Sequence, residues 1–231
     1  PPGVPPSTLP SLPPSLPPST VSSGGASADV HMDSLVGGKF DFKGAPKSIY
    51  ALLSTPLIAL NARFEPAVFK LPRSDFRSTF INKVHGSFMT EVFLTMRLPS
   101  TNLLNVHYTP SIPYTANVLI EQEEEAKELW LDFHSKPQAD FENVVHMAIV
   151  KTSRIQEFRQ EFGYALKMID SAWNISITAG SCKTISDKLM PFVNVKISPM
   201  PAAFSNPVAA HGLIGQSLHD PFAIQGKIDQ Y

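Results

Sequence analysis

The stretch Gly38-Lys39-Phe40-Asp41-Phe42-Lys43-Gly44 carries the clearest strand pattern in this chain. Its polar and apolar residues alternate, which is the period of a β-strand with one buried and one solvated face. Similar runs follow along the chain, and prolines fall between them rather than inside them, where they would remove ladder hydrogen bonds. The sequence therefore predicts an all-β fold, an antiparallel β-sandwich, over residues 37–231.

Two stretches within this pattern carry helix-forming residues. They are Glu121 to Leu131 and Ser153 to Met168, and the second has an apolar stripe at helical spacing. Two strands around Gly163 are the alternative for the second stretch. We expect one or two short helices in the domain. The positions predicted to be buried are Phe40, Phe42, Tyr50, Leu60, Phe64, Phe93, Trp130, Val145, Ile177 and Val195.

Residues 1–30 differ in composition from the rest of the chain. Half of residues 1–18 are proline, interleaved with Ser, Thr and Leu, and a Ser/Gly-rich stretch follows. Proline fixes φ and lacks a backbone donor, so this segment is predicted to be a disordered, extended stalk or linker in polyproline II conformation. Recognition by a groove that binds such helices is an alternative. The Ser-Pro tracts resemble the hydroxyproline-rich stalks of secreted wall glycoproteins.

Composition and charge limit both the functions that this chain can have and the ways in which its fold can be stabilised. The chain has 19 basic and 20 acidic residues, a balance that gives no field to hold a nucleic-acid backbone. Its longest apolar runs are too short for a membrane-spanning helix. A single cysteine, Cys182, excludes an intramolecular disulfide. Apolar residues at 43% are sufficient for a sizeable core.

Two segments together resemble the signatures of the von Willebrand factor type D (VWD) family. The opening strand of that family is matched by Gly38, Phe40, Asp41, Phe42 and Gly44. Its closing segment is matched by His211-Gly212-Leu213-Ile214-Gly215-Gln216-Ser217, in which Gly212, Leu213 and Gly215 carry the motif. The family cysteines are absent, so the chain is similar to the disulfide-poor VWD-like domains of plant and algal secreted proteins. The resemblance implies that the closing segment packs beside the opening strand.

The resemblance also implies a candidate calcium site. The closing loop of the family often holds Ca²⁺ through side-chain oxygens, which are hard ligands for a hard cation. Here Asp220, Gln216 and Asp229 are the candidate ligands, and Asp41 is a further family-like position. The alternative is a turn that only caps a strand. No other cofactor is expected.

Catalytic signatures are missing from the sequence. The seven histidines show no zinc spacing, and no G-x-S-x-G elbow occurs. We therefore expect a protein that is not an enzyme. An alternative is a carbohydrate-binding or carbohydrate-active β-sandwich, and its aromatic platform would be formed by Trp130, Trp173, Phe133 and Phe141. Asn174-Ile175-Ser176 is an N-glycosylation sequon, which makes Asn174 a candidate modification site.

The expected function is that of an extracellular or cell-surface structural or adhesive module, acting in matrix, wall or surface assembly. This expectation follows from the VWD resemblance together with the proline-rich stalk. The expected partners are other extracellular proteins or glycans. We expect neither nucleic-acid binding nor a membrane-spanning segment.

Overall fold

The computed structural model describes residues 24–27, 31–35, 37–71, 82–111, 115–122, 125–131, 138–141, 145–156, 159–184, 186, 188–205 and 209–218. Most of the predicted stalk, together with Phe133, Asp220 and Asp229, lies outside these residues. Gly24–Ser27 falls inside the segment expected to be a stalk, yet it forms a strand of the domain. The first strand among the described residues therefore begins at Gly24.

The fold is all-β, as the sequence predicted. In order along the described chain the strands are β1 (Gly24–Ser27), β2 (His31–Asp33), β3 (Lys39–Asp41), β4 (Ser48–Ser54), β5 (Ile58–Leu71), β6 (Asn82–Arg97), β7 (Leu103–Ser111), β8 (Thr115–Gln122), β9 (Glu125–Leu131), β10 (Gln138–Phe141), β11 (Val145–Gln156), β12 (Arg159–Ile169), β13 (Trp173–Lys183) and β14 (Leu189–Pro199). A 3₁₀ turn (Pro201–Ser205), a single-turn helix α1 (Gly212–Gly215) and a second 3₁₀ turn (Gln216–Leu218) follow.

The strands form two antiparallel sheets within the described residues. Sheet A has the order β10-β11-β12-β13-β14-β1-β2-β3, and sheet B has the order β4-β5-β6-β7-β8-β9. Almost every strand pairs with its neighbour in sequence, and the chain changes sheet after β3 and again after β9. The pairing of β1 with β14 joins the two ends of the domain, with Ala26 opposite Val195.

The core lies between the two sheets. In sheet B the inward positions include Leu60 and Phe64 of β5, Leu94 of β6 and Tyr108 of β7, while β13 and β14 of sheet A contribute Ile175, Ile177, Val195 and Ile197. Burying one such side chain stabilises the fold by roughly 1.5–3 kcal/mol. The two sheets therefore form a sandwich with one large apolar cluster between them, and a smaller cluster of Ala67, Phe88 and Phe192 is separate from it.

Tyr108 is the largest fully buried side chain of this interior. Its hydroxyl faces the backbone of Ala179 in the opposite sheet, but without ordinary hydrogen-bond geometry to any described residue. Burial raises the pKa of the phenol well above its usual value. The tyrosine is therefore neutral in the folded protein and acts as a core residue.

The two stretches with helix-forming residues are strands. Ser153 to Met168 falls on the β11–β12 hairpin, in which Gln156 is opposite Arg159, so the chain reverses before Gly163. Glu121 to Leu131 spans the end of β8 and all of β9. Because β12 pairs on both sides, with β11 and β13, the sheet overrides the local preference for helix. The short helix occurs instead at Gly212–Gly215.

No described helix is long or apolar enough to cross a bilayer.

Candidate functional site

An aromatic corner follows the opening strand. Phe42 lies 4.8 Å from Tyr50 and 5.2 Å from Phe64, and Tyr50 lies 5.4 Å from Phe64, all edge to face between ring centroids. Phe64 is fully buried, whereas Phe42 and Tyr50 are partly buried against the core. Through these ring contacts the end of the opening motif packs against β4 and β5, where the chain passes from one sheet to the other.

Glycine is required at position 44 by this packing. A Cβ atom on Gly44 would lie 2.5 Å from Cβ and 2.7 Å from Cγ of Phe64. The Gly44 N–H also donates to the Ser87 hydroxyl, at 3.3 Å. Of the other opening-motif residues, Phe40 is buried, Gly38 is exposed, and Asp41 accepts from His31 Nδ1 at 2.6 Å across the β2–β3 pair.

The closing segment joins the two sheets. His211 exchanges backbone hydrogen bonds of 2.8 and 2.9 Å with Ser54 at the end of β4 in sheet B. The Ser217 hydroxyl accepts from the Leu35 backbone N–H at 2.9 Å, in the turn that links β2 and β3 of sheet A, and donates to the Ile214 carbonyl at 2.6 Å. The segment thus contacts β4 and the turn before β3.

The glycines of the closing segment allow its close approach to β4. Gly212 has φ +92°, and a Cβ there would meet the Ala51 and Leu52 backbone at 2.9 Å. A Cβ on Gly215 would lie 2.9 Å from a Leu53 methyl. Ile214 is fully buried, whereas Leu213 is only partly buried against the core. The main apolar anchor of the segment is therefore Ile214 rather than the motif residue Leu213.

The candidate calcium ligands are only partly described. Gln216 is half-buried and starts the 3₁₀ turn after α1, and its backbone N–H donates to the Gly212 carbonyl. Asp220 and Asp229 lie outside the described residues, and no cluster of three His, Cys, Asp or Glu side chains suited to a metal occurs among the residues that are described. The calcium site thus stays a prediction.

A cluster of polar and aromatic side chains lies on the outer face of sheet B. This outer-face cluster comprises Arg63 of β5, Glu91 and Phe93 of β6, and His107 and Thr109 of β7. Arg63 donates to Glu91 Oε1 at 2.7 Å, and the other carboxylate oxygen, Oε2, lies 3.0 Å from His107 Nε2. Thr109 Oγ1 lies 3.3 Å from the same nitrogen. Both oxygens of Glu91 are therefore engaged by neighbouring strands.

Phe93 is at the centre of this cluster, although the sequence predicted it to be buried. Its ring stacks on the His107 imidazole with centroids 4.5 Å apart and an angle of 16°. The Arg63 guanidinium carbon lies 5.6 Å from the Phe93 centroid, within cation–π range. The prediction was wrong because Val92 and Leu94 point into the core, so the strand period puts Phe93 on the other face.

A shallow cavity of about 340 Å³ opens beside the cluster. It is lined by residues of β6, β7 and β8, and the outward-facing ones are Phe93, Thr95, Asn105, His107, Leu119 and Glu121. The Thr95 hydroxyl donates to Asn105 Oδ1 at 2.8 Å, and Glu121 is opposite Asn105 in register. Sequence reasoning missed this site because its residues are brought together by cross-strand register rather than by a local motif.

The aromatic platform predicted from sequence is wrong for Trp173. That side chain is 4% exposed and belongs to the core, because it shares the inward face of β13 with Ile175. Phe133 lies outside the described residues, and the side chains of Trp130 and Phe141 are not described.

The candidate glycosylation residue Asn174 lies near the start of β13. It is half-buried and opposite Ser198 of β14, while its neighbours Trp173 and Ile175 face the core. Asn174 is thus on the outer face of sheet A, away from the cluster on sheet B.

Comparison of the chain with protein-family models, with curated proteins and with solved structures finds no match.

Proposed function

We propose that this protein is a non-catalytic binding module of the cell exterior. In this proposal a VWD-like β-sandwich, carried on a proline-rich stalk, acts as a structural or adhesive unit in matrix, wall or surface assembly. Its contact surface is the outer face of sheet B. The outer-face cluster is the observation that carries the proposal.

The composition of this face supports a contact surface. Arginine and aromatic residues are enriched where proteins bind partners, and both are held here by a rigid sheet. The side chains of Arg63, Glu91 and His107 are 36%, 21% and 38% exposed, so a partner can reach them. Exposed apolar side chains of Ile49 and Leu103 occupy outward positions on β4 and β7 of the same sheet, and the exposed Leu57 directly precedes β5. Exposed apolar groups beside such a polar centre are typical of interaction sites.

The extracellular location is supported by the sequence composition and by one position in the fold. The proline-rich segment resembles the stalks of secreted wall glycoproteins, and the sequon residue Asn174 lies on the outer face of sheet A. A glycan on Asn174 would therefore leave the proposed contact surface on sheet B free. The VWD-like assignment is supported by the antiparallel sandwich and by the steric roles of Gly44, Gly212 and Gly215.

The test is a surface-binding assay with the full chain. Fluorescently labelled protein is added to intact cells and to cell-free matrix or wall material of the source organism. We expect saturable binding that Arg63→Ala or Phe93→Ala weakens roughly ten-fold, as for residues central to an interface. Lys196→Ala, an exposed position on the outer face of sheet A, is the control and leaves binding unchanged. Equal binding by all variants, or no surface binding, contradicts the proposal.

A carbohydrate-binding protein is the second candidate, and the cavity beside the cluster favours it. Of the two carbohydrate functions, binding is better supported than hydrolysis. Glycoside hydrolysis generally needs two carboxyl groups flanking the bond. Glu121 is the one carboxylate among the cavity-lining residues described, and both oxygens of Glu91 are engaged by Arg63 and His107.

A further inference from the structure

We infer that the cavity on sheet B is a subsite for one uncharged sugar ring, bound between His107 and Leu119 and oriented by Asn105 and Glu121. This inference deepens the proposed function and rests on it, since it names the ligand class of the proposed contact surface.

The apolar wall of the subsite follows from the cross-strand register. His107 lies between Phe93 on one side and Leu119 on the other. Phe93 stacks on the His107 imidazole, and the side chains of Phe93, His107 and Leu119 all line the cavity. A planar ring opposite an aliphatic side chain fits the C–H faces of a pyranose or furanose.

The polar side of the subsite has both kinds of hydrogen-bonding group. Asn105 Oδ1 accepts from Thr95, which leaves the two amide N–H donors of Asn105 for a ligand. Glu121, directly opposite, offers carboxylate acceptors and has no ion-pair or hydrogen-bond partner within the described part of the chain. A hydroxyl both donates and accepts, so two neighbouring sugar hydroxyls match an amide donor beside a carboxylate acceptor.

Charge and size narrow the ligand class. The Glu121 carboxylate repels an anion such as a phosphate or a uronate, whereas the nearby cation Arg63 is already paired with Glu91. A cavity of about 340 Å³ is at the small end of ligand pockets and suits a single ring rather than an extended chain. The structure thus favours a neutral monosaccharide unit of a glycan.

The test is an NMR titration of the ¹⁵N-labelled full chain. The probes are the methyl glycosides of glucose, galactose, mannose, xylose and arabinose, with inorganic phosphate as the anionic probe. A shallow site should bind with a dissociation constant of about 1 mM, so the titration runs to roughly ten times that value. We expect at least one glycoside, and not phosphate, to shift the amide signals of residues 93–95, 105–107 and 119–121.

Two site variants and a matched control complete the experiment. Asn105→Ala and Glu121→Gln should each weaken binding of that glycoside roughly ten-fold. Asn61→Ala is the control, because Asn61 is also a half-buried asparagine on β5 of sheet B but does not line the cavity. If no glycoside shifts these signals, if phosphate does so instead, or if the site variants bind like the control, the inference is overturned.

The two proposals can fail separately. If Phe93→Ala weakens surface binding roughly ten-fold while no glycoside binds, the contact surface stands and its partner is a protein. If neither assay detects binding, both proposals fail.

Discussion

At several positions in this protein, the residue type is limited by the space that neighbouring atoms leave for a side chain. Gly44 is glycine because Phe64 occupies the space that its Cβ would need, and Gly212 is glycine because its φ of +92° brings it against the β4 backbone. Asp170 is instead constrained by hydrogen bonds within the turn between β12 and β13. Its Oδ1 accepts from the backbone N–H groups of Ala172 and Trp173.

Replacing Gly44 should destabilise the domain. Gly44→Ala adds a methyl group 2.5 Å from the Phe64 Cβ, so we expect a loss of about 1–3 kcal/mol as overpacking of the aromatic corner. Gly38→Ala is the matched control, since its Cβ would approach only the Ser34 side chain, at 3.2 Å from Oγ and 3.8 Å from Cβ. Urea denaturation of both variants measures the difference, and equal stabilities would contradict the proposed role of Gly44.

Asp170 makes stability depend on pH. Burial raises the pKa of this carboxyl above its ordinary 3.8, and the hydrogen bonds from Trp173 and Ala172 oppose the shift only in part. The folded state therefore holds the proton more tightly than the unfolded state, and the contribution of Asp170 to stability falls as pH rises from 3.8 through the raised pKa.

Asp170→Asn isolates this effect, because an amide oxygen still accepts both N–H groups without carrying charge. We expect the variant to be at least as stable as the parent at about pH 7 and to gain no advantage at about pH 3. The measurement is the free energy of unfolding in urea at both pH values. A variant that is less stable at neutral pH would show that the two hydrogen bonds outweigh the cost of burying the charge.

Among the elements, the closing segment and the strand pairs of sheet B decide how the sandwich is arranged. The closing segment contacts both sheets at the place where the chain crosses between them, through Ser54 on one side and Leu35 on the other. In sheet B, strands β5 to β8 bring distant residues into one outward patch. Arg63 and His107 are 44 positions apart, from their numbers, yet both contact Glu91.

Truncating single side chains of the closing segment should show which of them anchors the segment to the core. Ile214→Ala should lower the free energy of unfolding by about 2–5 kcal/mol, since Ile214 is fully buried against the core. Leu213→Ala should cost clearly less because Leu213 is only partly buried. Denaturant titration of the two single variants compares them directly, and an equal or larger cost for Leu213→Ala would contradict this anchoring.

At the level of the whole molecule, the domain is a meander folded into two layers, in which the first and last of the described strands pair with each other. Strand β1 lies between β14 and β2, and its Ala26 is buried. The larger sheet is therefore continuous only when residues 24–27 are present. The first described strand of the larger sheet thus begins at Gly24, and we expect the predicted stalk to end before it.

Two truncations test that boundary. Removing residues 1–20 should leave the melting temperature essentially unchanged, because the deletion stops before β1. Removing residues 1–27 exposes the edges of β14 and β2 and should lower the melting temperature by roughly 4–8 °C, for a loss of about 2 kcal/mol. Differential scanning calorimetry measures both. A large drop on removing residues 1–20 alone would show that the proline-rich segment itself stabilises the domain.

The fold class and much of the core could be predicted from the sequence, since they depend on local periodicity. Alternation in Lys39 to Lys43 and the placement of prolines indicated strands, and Phe40, Leu60, Phe64, Ile177 and Val195 are buried as expected. The outward position of Phe93, the strands at Ser153 to Met168 and the cluster around Glu91 depended on pairing between distant strands. Cross-strand register is a long-range property: a shift of one residue exchanges the two faces of a strand, and no local stretch of sequence contains the partner that sets it.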